Sequence, residues 1–179
     1  MTEQRIVSGP RVGGLAAAFV VGLGAMAWIP RVAESPGVRW PVLTSAAGLG
    51  LWLLVLGLRG RIGEMTVRVR APHWVQMCVH TSIFVYWGWH VELVGRQAWL
   101  IVLQIPFVYL LDALLSWSRG RKWVLGFGPI PIVGSTNLFL WFKDEVFAWQ
   151  LVMMAACLLG REWLRWTREG RDTHIFNPS

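Results

Sequence analysis

The sequence predicts an all-α membrane protein with about six transmembrane helices, the fifth broken by glycine and proline, plus an amphipathic helix at the inner interface. Three observations carry that expectation. The 179 residues are 55% apolar and only 15% charged, whereas a soluble domain carries about 25% charge. Six apolar stretches cross the chain as one continuous domain. Thirteen of the 17 Lys and Arg residues fall in alternate flanks of those stretches. The rich flanks hold Arg5 and Arg11; Arg59, Arg61, Arg68 and Arg70; Arg119, Arg121 and Lys122; and Arg161, Arg165, Arg168 and Arg171. The poor flanks hold only Arg31, Arg39, Arg96 and Lys143. Loops rich in Lys and Arg stay on the cytoplasmic side. Both termini are therefore expected in the cytoplasm, and the location is a bacterial inner membrane.

The net charge of +7 points to no nucleic-acid partner, because the cations sit beside apolar spans and form no basic domain. The same flanks suit anionic lipid headgroups. Cys78 and Cys157 both fall inside expected spans, with no CxxC pair for a metal or cluster.

The spans are expected at 12–29, 40–58, 74–91, 97–117, 123–142 and 146–159. A helix needs about 20 residues to cross the hydrocarbon. The last span is short unless it borrows polar neighbours. Span 1 follows Arg5 and Arg11 and carries Ala25-Met26-Ala27, which resembles a cleavage site; it is read as a retained span. Brief connections make successive spans antiparallel neighbours. Many of the 13 tryptophans fall near span ends, with Trp28, Trp40, Trp87, Trp89, Trp99 and Trp141 at outer ends. Trp74, Trp117, Trp123, Trp163 and Trp166 mark inner ends, as interfacial belts do. A tryptophan stripe for a pigment or quinone is the competing reading. Residues 161–172 interleave Arg161, Arg165 and Arg168 with Trp163 and Trp166, which predicts the interfacial helix.

Span 5 holds Gly126, Gly128, Pro129, Pro131 and Gly134. A regular helix does not tolerate that set unbroken. Ser135, Thr136 and Asn137 are then candidates to cap a short helix at 138–142 and to face a ligand. A capped structural kink is the plainer reading. Spans 3 and 4 carry His80, Gln104 and Asp112. Ionisable residues within a span are costly. His80 and Asp112 are expected at similar depth in an antiparallel hairpin. They form a candidate pair, either a proton relay or a contact fixing two helices. His80 is also a weak candidate ligand for haem or a chlorophyll-type pigment. His73, His80 and His90 are too widely spaced for one metal on a helix face. No metal site, catalytic residue or nucleotide loop is expected.

The segment from Gly134 to Glu145, then Arg165-Trp166 and His174-Ile175-Phe176-Asn177-Pro178-Ser179, resembles bacterial membrane proteins related to the D subunit of the Rnf electron-transport complex. That group includes the B subunit of the sodium-translocating NADH:quinone reductase and membrane proteins of enediyne gene clusters. His174, Phe176, Asn177 and Pro178 are its most specific residues here. The resemblance implies an integral-membrane subunit of an electron-transfer complex, with other membrane subunits as partners. It also implies that the chain matches the first half of such a protein. The family's flavin-bearing threonine motif lies downstream of the Asn-Pro element. No cofactor is therefore expected on these residues. The alternative functions are an accessory subunit stabilising a respiratory or photosynthetic assembly, and a small transporter.

Overall fold

The computed structural model describes the backbone of residues 5–7, 10–140, 143–163, 165–168 and 171–174, with side chains over 12–140 and 143–163. Among them are eight α-helices and five short strands. In chain order these are β1 (Arg5–Val7), α1 (Pro10–Met26), α2 (Pro30–Ala33), α3 (Pro36–Leu58), β2 (Met65–Val67), α4 (Ala71–His90) and α5 (Glu92–Gln97). Then follow α6 (Leu100–Ser118), β3 (Trp123–Leu125), α7 (Ile130–Phe139), α8 (Phe147–Trp163), β4 (Arg165–Arg168) and β5 (Arg171–His174). A 3-10 turn spans Asp144–Val146.

Local chemistry sets the helix limits. Proline occupies the first turn of α3, α4 and α7, where its missing N–H costs nothing. Both α3 and α6 end in the tripeptide Arg-Gly-Arg. Gly60 (φ 62°) and Gly120 (φ 65°) adopt the left-handed conformation. Arg61 N–H donates to Leu56 O and Arg121 N–H to Ser116 O. These are two Schellman caps of one design.

Helix α6 is the axis of the fold, packed by α1, α3, α7 and α8. Its most apolar stretch is 72% buried, against 22% for α3. Helix α4 stands at the periphery against α5 and α7. It exposes Trp74, Val75, Val79, Val85, Tyr86 and Trp89. Among the described residues two helices, α3 and α6, are long and apolar enough to cross a membrane.

The flanks separate into two groups in space. At one end β1 pairs antiparallel with β2, and β2 pairs parallel with β3. That sheet gathers the N-terminal strand with the segments after α3 and α6, all lysine- or arginine-rich. At the other end the Arg31 guanidinium donates to Arg96 O and lies 4.9 Å from the Trp99 ring centroid. There Gly37 meets the backbone of Asp144 so closely that an added Cβ would lie 2.9 Å from its carbonyl oxygen. The poor flanks at 30–39, 91–99 and 143–146 thus share that end.

Three expectations need correction. Residues 123–142 do not form one broken helix. The described residues among them form β3, a turn, and then α7 of ten residues. The Gly/Pro run ends the strand and starts the helix, so Pro129 and Pro131 lie at its beginning. Gly126 permits the close strand approach: a Cβ there would fall 2.1 Å from Arg68 O. Second, the helix expected at 161–172 stops at Trp163, and β4 and β5 pair antiparallel, Arg165 opposite His174. Trp166, Thr167 and Thr173 favour strands. Third, Trp117 and Trp123 are fully buried, edge to face at 5.9 Å. They are core residues, not belt residues.

Candidate functional site: two polar clasps on the central helix

Two buried polar side chains of α6, Gln104 and Asp112, lie eight residues or about 12 Å apart along the axis. Each is the hub of a separate cluster.

Gln104 meets Asn137 of α7 and Gln150 of α8, and all three are essentially without exposure. Gln104 Nε2 donates to Gln150 Oε1 at 2.8 Å and to Asn137 Oδ1 at 3.3 Å. Asn137 Nδ2 donates to Gln104 Oε1 and to Val133 O. Gln150 Nε2 donates to Asn137 Oδ1 at 3.2 Å and to Leu140 O at 3.1 Å. Three primary amides carry six N–H groups, and all six have an acceptor. The cluster holds three helices in register, and its donors are committed.

Asp112 anchors the second cluster. Its carboxylate accepts from Trp123 Nε1 at 3.1 Å and from the Arg161 guanidinium of α8. Glu162, next to Arg161, pairs with Arg121 and lies 3.9 Å from Arg119. Arg119 also donates to the Glu162 carbonyl at 2.9 Å. Both carboxylates are buried, so each requires such partners. Helices α6 and α8 are locked at their C-terminal ends, and Trp123 ties in β3.

Beside this cluster an open cleft of about 740 Å³ lies between the two Arg-Gly-Arg turns. Arg61, Arg119, Arg121 and Lys122 line it, with Glu64 as the lining carboxylate. Glu64 pairs with Lys122 at 2.5 Å. Trp117 forms part of the wall, and its indole N–H is buried without a hydrogen-bond partner.

The expected His80–Asp112 pair is not formed. His80 instead packs on Gly134 of α7, where an added Cβ would lie 2.5 Å from its Cγ. Its Nδ1 has no hydrogen-bond partner. Similar depth does not fix azimuth: α4 packs on α7, and α8 delivers Arg161 to Asp112. Ser135, Thr136 and Asn137 do not cap a helix at 138–142, since they lie within α7. Asn137 joins the amide cluster, Thr136 is buried and Ser135 is half-buried. His73, ahead of the expected third span, has its pKa held below the ordinary histidine value by burial first, then by Arg70 and Arg161. Among the described residues no three His, Cys, Asp or Glu side chains are grouped to hold a metal. Phe176, Asn177 and Pro178 lie outside the described residues, and of His174 only the backbone is described.

Sequence reasoning missed Gln150, Arg161 and Glu162 as partners. The signal for Gln150 was an amide inside an apolar stretch, the same signal that marked Gln104. The chain matches no family model, no curated protein and no solved structure.

Proposed function

We propose that this chain is an integral-membrane subunit of a multi-subunit electron-transfer assembly in a bacterial inner membrane, with six crossings and both termini cytoplasmic. It frames the assembly, and the redox centres belong to other subunits. The observation that carries this reading is the double clasp on α6. A central helix tied by a saturated amide cluster and a buried ionic cluster is a rigid element. Rigidity of that kind suits a part that holds partners at fixed distances. The separation of Lys/Arg-rich and Lys/Arg-poor flanks to opposite ends supports the topology. The fifth crossing enters through the bends and turn of residues 126–129 and runs along α7, about 15 Å long. That helix by itself covers about half of a hydrocarbon thickness of about 30 Å. Backbone there needs internal partners, and Tyr109 Oη donates to Gly126 O at 2.7 Å. The resemblance of Gly134 to Glu145 and of His174 to Ser179 to Rnf D-type proteins supports the electron-transfer context.

An accessory subunit of a respiratory or photosynthetic assembly is the alternative that the same rigidity serves. Absorption spectroscopy tests the proposal on the tagged chain, purified gently from native membranes and again after stripping in harsh detergent. Flavin, haem or iron–sulfur bands are expected in the gentle preparation and not on the stripped chain. A gentle preparation with chlorophyll-type bands supports the alternative. A chain that migrates alone and colourless in the gentle preparation overturns both.

A further inference from the structure

We propose that the cleft between the two Arg-Gly-Arg turns binds the phosphodiester headgroup of an anionic phospholipid. Four cationic side chains line the cleft, Arg61, Arg119, Arg121 and Lys122. Two carboxylates answer them, Glu64 on the lining and Glu162 behind it. Lys122 is committed to Glu64, and Arg119 and Arg121 share Glu162. Arg61 has no carboxylate partner among the described residues and is exposed. Its fork matches the paired oxygens of a phosphate.

The second observation is Trp117. A fully buried indole with an unpartnered N–H is uncommon, and it forms part of this wall. That donor lies just beneath the cleft surface, under Gly63, and gains an acceptor when a bound phosphate oxygen displaces this cover. The C-terminal ends of α3 and α6 meet here, and each carries about half a negative charge. The Schellman bonds occupy the carbonyls of Leu56, Gly57, Ser116 and Trp117, and the arginines of the two turns outweigh what remains.

The occupant is a lipid, not a free anion, because an apolar track leads to the cleft. Leu51, Leu54 and Leu58 are 63%, 57% and 81% exposed. They form one stripe of α3 at i, i+3 and i+7 spacing. Leu58 is followed directly by Arg59, Gly60 and Arg61. An acyl chain lying on that stripe brings its phosphate to the turn.

Thermophoresis of the full chain in mild detergent, with dihexanoyl phosphatidylglycerol, dihexanoyl phosphatidylcholine and inorganic phosphate as probes, tests the proposal. The glycerol lipid should bind roughly tenfold more tightly than the choline lipid, which carries the same phosphodiester but adds a quaternary ammonium that the cationic cleft repels. Arg61→Gln breaks no ion pair among the described residues and should abolish that preference with the fold intact by circular dichroism. Trp117→Phe should weaken phosphatidylglycerol alone. Arg39→Gln, at the opposite end beside Trp28, should change nothing. A preference absent in the parent chain, or surviving Arg61→Gln, overturns the proposal. So does displacement of the glycerol lipid by inorganic phosphate at equal concentration, which would mark a free-anion site.

Discussion

Asp112 on α6 is paired with Arg161 in the last turn of α8, across 49 positions of sequence. The aspartate is 4% exposed, and its carboxylate also accepts from Trp123 Nε1. Breaking this pair by removing the cation should therefore cost more than removing both charges. Arg161→Gln leaves a buried carboxylate short of its counter-charge, a loss of up to about 3–5 kcal/mol. The Asp112→Asn, Arg161→Gln double variant should be more stable than Arg161→Gln alone. Melting temperatures in one detergent check this, and equal values for the two variants would count against a buried pair.

The amide cluster makes a parallel prediction. Gln104→Leu removes the acceptor for Asn137 and the donor for both Asn137 and Gln150. Each buried polar group left unpaired costs about 1–3 kcal/mol. The variant should melt well below the parent chain. Gln150→Leu should behave alike, and the Gln104→Leu, Gln150→Leu pair should be less than additive, since both lesions fall in one network. Strict additivity would mean that the amides do not act together.

Gly134 and His80 form the contact between α7 and α4. An alanine at 134 would place its Cβ 2.5 Å from His80 Cγ, a distance that forces one element to shift. Gly134→Ala should destabilise the chain, with a cost of about 1–3 kcal/mol typical of overpacking. Adding His80→Ala should recover most of that loss. If Gly134→Ala is neutral by itself, the two helices do not touch at this point.

Reporter fusions examine the proposed topology. A reporter active only outside the cytoplasm should work when placed beside Asp144 and fail at the C-terminus. The reverse pattern would invert the chain in the membrane and refute the charge argument.

Much of the architecture was legible because apolar length and charge position are properties of the sequence. The stretches that became α3, α4, α6 and α8 are apolar over a helix-sized window, and proline or Arg-Gly-Arg marks several of their ends. The division of flanks into two groups followed from the placement of Lys and Arg alone. Gln104 and Asp112 also announced themselves, as polar residues in apolar runs. Their partners were hidden, because a partner depends on which faces of which helices meet. Asp112 reads equally well against His80 or Arg161 until α8 is packed on α6 and α4 is set outside α7. The strands were hidden for a related reason. Three-residue segments such as Trp123–Leu125 have no periodicity of their own and are strands only because β2 lies alongside. The cleft is decided last of all, since Arg61 and Arg121 face one space only after two distant helices end side by side.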